Sequence, residues 1–535
     1  MSISKAPYVG LFVIWLFACC LALVGLGDLP LRDFDEATVA RVALEISNKE
    51  GMEQLLPTLW GADYINKPPG LHLLIAAVIK LSRNVFFQFE QFPSDFVVRF
   101  APALLSTLVV PLGGLIQWSL RPRETTTSLA TAAILLTILP IARHGRLAML
   151  DGSQLSAMAL LWLILVSFDK SYLDKIRAFF AGLVSSFLLL LKAPFLIPAL
   201  VAALIPIFLG KKIKGFSFAS LSIFFAIGLS PGIGWHIWHG LQRGSDALWL
   251  WGGDGAARVL FSTGEGSDLG FLVPVIEIFE GGWPWLLLWP IGFFWALQER
   301  NTRWGQWVLA TQLALAFTIL PLKTQLPWYS HPLWLPFSLI CGVPFAWLIS
   351  RDRYQNEPSK ALLSRVPYLL MIIGSGLIIF AFGSTLGFLA NFRIYSGISL
   401  SAGIGWFLGG WLLTRSLKEQ RLCGGIAVFL GSFISLLILM ESGFWLWELN
   451  ESWPVKPVAE MITTEKAFPV FIEGNHERPS LNWYTDQVIS GVKAFPNSGW
   501  ILSRNPSNFM AENSDKDCRL IQERDEWALM SCKVK

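Results

Sequence analysis

The chain has 535 residues, 53% of them hydrophobic and only 15% charged, with a formal net charge of +4. Soluble globular chains carry about 25% charged residues, so this composition excludes a soluble protein and predicts a polytopic membrane protein embedded in a lipid bilayer. The small basic excess fits Lys and Arg anchors at a cytoplasmic face and gives no reason to expect a nucleic-acid partner.

Lys5 precedes an apolar run from Tyr8 to Leu26. The run is too long for a signal-peptide core, and no small-residue cleavage site precedes Asp28, so it predicts an uncleaved first span at about 8–27. A long polar loop follows, at about 28–97. It opens with Asp33, Asp35 and Glu36 and reaches Lys67-Pro68-Pro69 before the segment LHLLIAAVIKL at 71–81. That segment is short and is followed closely by Arg83, so it is expected to lie in the interface as an amphipathic helix. Further apolar runs fall at about 98–118, 129–142, 153–168, 178–192, 194–210, 216–234, 284–297, 307–320, 331–349, 366–385, 401–414 and 422–442, which gives about thirteen spans in all.

Basic connectors fall on every second loop: Arg121 and Arg123; Lys170, Lys175 and Arg177; Lys211, Lys212 and Lys214; Arg300 and Arg303; Arg351, Arg353, Lys360 and Arg365; Arg415, Lys418 and Arg421. The positive-inside rule then puts these loops and the N-terminus in the cytoplasm. The first loop, the connectors at 143–152, 235–283, 321–330 and 386–400, the turn Lys192-Ala193-Pro194 and the tail from Gly443 face outward. The 235–283 loop carries WHIWHG, GGDG and Glu265 and is expected to hold short helices. His236 and His239 share a helical face, but one pair is too few for a metal site, and an interfacial patch is the simpler reading.

The tail, 443–535, has ordinary soluble composition. AFPVFIEG and GWILSR read as strands and PSLNWYTDQVI as a helix with Ser480 at its cap, so a small extracytoplasmic α/β domain is expected. Cys518 and Cys532 can pair there if the tail is outside an intact reducing compartment.

Basic residues are out of place on the outer face, which makes Arg32, Arg41, Lys67, Arg143, Arg146, Lys192 and Lys323 candidates. Carboxylates Asp33, Asp35, Glu36 and Asp151 map to the same face. Cations can hold a leaving phosphate, and a carboxylate can take a proton from an incoming hydroxyl or amine. Glu36 and Asp35 can also serve only the dipole of a first helical turn, and Asp151 only a helix cap. No glycine-rich phosphate loop follows a strand, which favours a lipid phosphate donor over a nucleotide.

At these residues the chain resembles the polyprenyl-phosphate-sugar-dependent membrane glycosyltransferases, the GT-C group that includes protein O-mannosyltransferases and the aminoarabinose transferase of lipid A. The resemblance is carried by Asp35-Glu36 with Lys67-Pro68-Pro69, by Arg143, Arg146 and Asp151, by Lys192-Ala193-Pro194, and by Lys323, Leu326-Pro327 and Tyr329. Ala37-Thr38 stands where the group usually has Arg-Tyr, and Ala193 where it has glycine. The resemblance implies an all-α polytopic core, residues 1–442, with the tail as a second domain. It also implies an inverting transfer of sugar from a polyprenyl phosphate to a lipid, glycan or protein acceptor. Asp35 would activate the acceptor, with Glu36 and Asp151 as further acidic residues of the site. Lys67, Arg146, Lys192, Lys323 and Tyr329 would hold the lipid phosphate. A divalent cation is compatible with the carboxylates, but no spacing requires one. The competing reading is a multi-span transporter or flippase of lipid-linked sugars; transporters are often built from internal repeats, and the sequence has none evident.

Overall fold

The computed structural model describes residues 6–85, 92–168, 173–209, 218–261, 270–351, 358–445, 455–474, 478–492, 498–524 and 526–534. Lys5, Lys170, Lys211, Lys212, Lys214, Glu265, Arg353 and His476 lie outside them. The chain forms two compact units. The first comprises Met1–Leu26, Ile65–Leu71 and Phe100–Trp445, and the second Gly27–Tyr64, His72–Arg99 and Leu446–Lys535. The first-loop segments thus cluster with the tail, except Ile65–Leu71, which belongs to the first unit.

Each apolar run named above coincides with a helix, but the expected count of thirteen spans is corrected. Among the described residues, 7 helices are long and apolar enough to cross a membrane, or up to 8 if Leu272–Gly281 and Trp285–Gln298, bent by 106°, form one span. Two physical reasons account for the difference. Several runs yield helices too short for a full crossing of about 20 residues, such as Tyr8–Leu23, Thr125–Leu136 and Leu150–Val166. Elsewhere two runs join: Leu173–Lys192 and Leu196–Leu209 are linked by a single 3-10 turn, Ala193–Phe195, and count as one 37-residue segment.

In the first unit, packing of helices depends on glycines. Leu173–Lys192 lies against Phe218–Arg243 so closely that a Cβ at Gly182 would sit 2.1 Å from the Phe225 carbonyl oxygen. Small residues at such crossings let backbones approach where lipid offers no hydrophobic driving force. Helix Phe218–Arg243 also runs on through WHIWHG, which corrects the loop expected from residue 235. Its Trp235 ring stacks on His239 at 4.6 Å between centroids, and His236 contacts the Leu189 carbonyl at 3.3 Å.

The second unit holds a five-stranded sheet in the spatial order Ser490–Val492, Val470–Glu473, Ser498–Ser503, Trp527–Val534, Lys516–Arg524. The first two neighbouring pairs are parallel and the last two antiparallel. Helices Val455–Thr464 and Pro479–Thr485 cover one face, burying Val458, Ile462 and Leu481 against Val470, Ile472, Leu502 and Leu529. Cys518 and Cys532 are cross-strand partners, joined by a disulfide with Cα atoms 4.1 Å apart. Ser480 is not the helix cap: Arg478 occupies that position. From the first loop, helix Thr38–Ser47 packs Val42 and Ile46 on Tyr64 and on Ala76 of helix Gly70–Val85.

Glu45 fastens helix Thr38–Ser47 to the turn after it. Its carboxylate accepts hydrogen bonds from Arg41 at 2.9 Å, Thr58 at 2.6 Å and the Trp60 N–H at 2.7 Å. Burial pushes this carboxyl up, but the hydrogen bonds from Thr58, Arg41, Gly61 and Trp60 outweigh burial and hold it below its ordinary 4.5. A depressed folded-state value contributes stability above the ordinary value, and that stability is lost as pH falls through the folded value. Glu45→Gln should therefore flatten the acid limb of stability below about pH 4.5. Thermal unfolding of both proteins across pH 3 to 7 checks this; parallel curves would refute it.

Candidate active site

Two sets of candidate residues emerge, one in each unit. In the second, Asp33–Ala37 forms a turn of π-helix, with the Ala37 N–H donating to the Arg32 carbonyl at 2.8 Å. Such i→i+5 turns widen a helix locally and recur at functional sites. The turn separates neighbouring acids into different environments. Glu36 is fully buried, and so is its partner Arg99. Arg99 donates from Nε to Oε1 at 2.7 Å and from Nη2 to Oε2 at 2.6 Å. The same guanidinium donates to the carbonyls of Leu29 at 2.7 Å and Pro30 at 2.8 Å, and the Arg32 N–H reaches Glu36 Oε2 at 3.0 Å.

Asp33 is buried too and bridges to the tail within the same unit. Its carboxylate accepts from the Ser480 N–H at 3.0 Å and from the Ser480 hydroxyl, and it pairs with Arg478. Tyr484 accepts the Leu31 N–H at 2.8 Å and donates to Asp95 at 2.9 Å. Burial and then the Asp95 charge push the Tyr484 hydroxyl far above its ordinary range, so it stays a donor. Asp35 differs from both acids. Its side chain is 38% exposed and lies 3.7 Å from Arg32.

The first unit contains a cavity of about 610 Å³. Its lining includes the apolar side chains of Ile197, Val201, Leu315 and Phe317 together with Asp151, Gln154, Lys192, Arg258, Tyr329 and His331. Asp151 and Gln154 are three apart in the first turn of helix Leu150–Val166, and so share a face. Met149 holds the cap position there, so Asp151 is not the cap. Lys192 ends its helix, and its ammonium sits 4.8 Å from the Tyr329 ring centroid. Among the described residues, Gln154 Oε1 and His331 Nδ1 are buried with no hydrogen-bond partner. A buried polar atom without a partner costs about 1–3 kcal/mol.

The other cationic candidates fall as follows. Lys67 is half-buried in the Ile65–Leu71 segment of this unit. Three residues later Gly70 packs on Leu190, where a Cβ would meet the Leu190 carbonyl oxygen at 2.6 Å. That contact ties the Lys-Pro-Pro segment to the end of the helix bearing Lys192. Lys323 is exposed and is not part of the cavity wall. Its neighbour Thr324 donates its N–H to the Arg258 carbonyl at 3.2 Å. Arg146 is also off the cavity wall and is fully buried. Its guanidinium donates to the Val24 carbonyl and, at 3.3 Å, to that of Met440, and lies 4.5 Å from the Trp445 ring. Among the described residues no group of three or more His, Cys, Asp or Glu could hold a metal.

Sequence reasoning missed Arg99, Gln154, Arg258 and His331. Arg258 breaks the same charge rule that singled out Lys192, and Gln154 follows Asp151 at helical spacing, so both were detectable. Arg99 carried no such signal, because a lone arginine at the start of a span reads as an interfacial anchor.

No family model matches this sequence, and no curated protein matches it. Among solved structures, ArnT from Cupriavidus metallidurans in the apo state superposes with a TM-score of 0.73 at 14% identity, over 98% of both chains. The same protein bound to undecaprenyl phosphate gives a TM-score of 0.72 at 14% identity, again over 98% of both chains. The likeness is one of fold across the whole length: a GT-C-type, all-α polytopic membrane protein with a small C-terminal α/β domain.

Removing one member of a buried ion pair strands the other charge, at a cost of about 3–5 kcal/mol, whereas removing both is far milder. Arg99→Met should destabilise the second unit by that amount, and Glu36→Gln with Arg99→Met by less. A double-mutant cycle of denaturant unfolding in detergent measures both. Additive losses would mean that the pair is not coupled.

Proposed function

We propose that this protein is an inverting glycosyltransferase. It moves a sugar from a polyprenyl-phosphate donor to a lipid, glycan or protein acceptor on the outer face of the membrane. The observation that carries the reading is the membrane-unit cavity. It joins an apolar wall suited to a lipid chain with Lys192, Arg258 and Tyr329, which suit its phosphate. Support also comes from the fold shared with ArnT, whose solved structure binds undecaprenyl phosphate. The N-terminus lies in the cytoplasm, and the tail domain faces outward, where its disulfide is stable.

In this mechanism Asp35 takes the proton from the acceptor. It is accessible, unlike Glu36 and Asp33, and lies 3.7 Å from Arg32. Glu36 positions the turn and does not touch substrate. Lys192, Arg258 and Tyr329 on the cavity lining receive the phosphate as the bond from the anomeric carbon to its oxygen breaks and charge grows on it, while Lys67 and Lys323, off that lining, add longer-range attraction for it. The acceptor oxygen or nitrogen attacks that carbon from the opposite side, so the configuration inverts. Asp151 orients hydroxyl groups of the bound sugar. Arg146 is a brace within the membrane unit. The departing polyprenyl phosphate, a monoester whose charge is neutralised, leaves without a general acid. No divalent cation is required by this set of residues.

A panel of radiolabelled polyprenyl-phosphate sugars offered to purified wild type and Asp35→Asn tests the reading. Loss of a general base costs about 10²–10⁴-fold in rate, so wild type should release label from one donor and the variant should be slower by that factor. Equal turnover by the two proteins would sink the proposal.

A further inference from the structure

Helix His331–Ser350 starts in the cavity lining and ends about 30 Å away, one hydrocarbon thickness, at the opposite membrane face. The end of helix Ser396–Leu413 and the starts of helices Lys418–Glu441 and Val366–Thr385 meet it there. A Cβ at Gly410 would sit 2.4 Å from the Pro367 carbonyl oxygen. Arginines join the other ends. Arg421 is buried and donates to the carbonyls of Ile349 at 3.0 Å, Ser350 at 3.4 Å, Arg415 at 3.3 Å and Ser416. Arg351 is exposed and donates to the Leu413 carbonyl at 3.2 Å. Arg415 lies over the Trp411 ring, 4.1 Å from its centroid. Carbonyl oxygens occupy these donors but carry no net charge, so the positive charges are not cancelled. Burial and then the charge of Arg421 push the Arg351 guanidinium below its ordinary value, as like charges held close must.

Countercharge is scarce at these helix ends. The connectors 351–365 and 415–421 hold seven Lys or Arg against three Asp or Glu. Helices His331–Ser350, Val366–Thr385 and Ser396–Leu413 contain no acid. Of the three acids in the connectors, Asp352 and Glu357 lie outside the described residues, and Glu419 is exposed. Among the described residues no ion pair joins an acid to Arg351, Arg415 or Arg421. Glu299, whose helix packs on Pro358–Leu363, is paired with Arg121. Tyr368 and Trp411, 58% and 42% exposed, stand at the same ends. Such aromatic residues sit at the boundary between lipid and water, so the uncancelled charge lies at headgroup depth.

We propose that Arg351 and Arg415, braced by Arg421, form a headgroup site for an anionic phospholipid in the leaflet opposite the cavity. The lipid phosphate rests on the two guanidiniums, and the acyl chains run along the helices past Tyr368 and Trp411. Arginine suits this role because its planar fork meets phosphate oxygens in pairs. Basic clusters between helices at one membrane face are a recurring way of holding phospholipid headgroups. The site stands on the first unit alone and does not depend on the transfer reaction proposed above.

Two measurements test this. In native mass spectrometry from detergent micelles, wild type should bind phosphatidylglycerol at concentrations where phosphatidylcholine does not bind. Arg351→Gln with Arg415→Gln should bind it about 30-fold more weakly, the contribution of two basic residues at an anionic lipid surface. Arg123→Gln with Arg300→Gln removes two exposed arginines from other basic connectors and should bind as wild type does. Arg351→Lys with Arg415→Lys keeps both charges and should recover most of the affinity. Equal weakening in the 351/415 and 123/300 Gln pairs would show only diffuse surface charge and would overturn the site. So would a Lys pair as weak as its Gln counterpart, which would leave the arginines a bracing role alone. Displacement of the lipid by inorganic phosphate, or equal binding of both lipids by wild type, would overturn it too. The second measurement needs no variant. Phosphatidylglycerol carrying a photoreactive group should label wild type at 349–368 and 411–421. Equal labelling of the connectors that bear Arg123 and Arg300 would defeat the proposal even if a variant failed to fold. Sugar transfer by Asp35→Asn decides the reaction proposed above and leaves this result untouched.

Discussion

The buried pair of Glu36 and Arg99 is the constraint on which the candidate chemistry depends. Both charges are withdrawn from water, so each must be met in full by protein groups. The carboxylate takes both guanidinium contacts and a backbone N–H. The guanidinium also holds the carbonyls of Leu29 and Pro30. With Asp33 on Arg478 and Ser480, and the Leu31 N–H on Tyr484, the chain from 29 to 36 has little freedom left. Phe34 and Asp35 are the residues of that stretch turned outward. A base that must meet a proton within hydrogen-bond reach gains from such a frame, since misplacement of about 1 Å costs roughly 10²-fold in rate.

The membrane unit meets a different demand. Its backbone polar groups are closed within helices, so its chemistry sits where helices end or turn. Lys192 ends one helix, Asp151 begins another, and Tyr329 occupies the 3-10 turn Pro327–Ser330 before helix His331–Ser350. Close backbone contact at glycines allows these ends to approach. In the loop bearing Arg143 and Arg146, Gly145 and Gly152 both lie against Ser106, where a Cβ would meet its atoms at 2.7 Å and 2.8 Å. Larger residues there would force the helix start that carries Asp151 away from its neighbours.

The positions of the helices were legible in the sequence because hydrocarbon demands long apolar stretches, and such stretches are visible without any partner. The strands Val470–Glu473 and Ser498–Ser503 were legible from their aromatic and β-branched clusters. The last two strands were not, since Lys516–Arg524 is mostly exposed and polar, an edge strand held by its neighbour rather than by its own pattern. The number of crossings was misread because apolar content does not state where a helix breaks. Of the candidate residues, Lys192, Tyr329 and Asp151 line one cavity, whereas Arg146 is buried off its lining and engages carbonyls and a ring.

Sequence alone determined that the protein is a polytopic membrane protein, which acids and cations are candidates, and which two cysteines are able to pair, since composition, charge bias and thiol chemistry act residue by residue. Tertiary structure decided which of those groups are buried in the fold and which stay accessible. Asp35 and Glu36 are adjacent and chemically alike, and nothing local separates them. An arginine 63 residues from Glu36 does so, by burying one carboxylate and leaving its neighbour at the surface. Solvation and hydrogen-bond pairing are properties of neighbours in space, and only the fold supplies those neighbours.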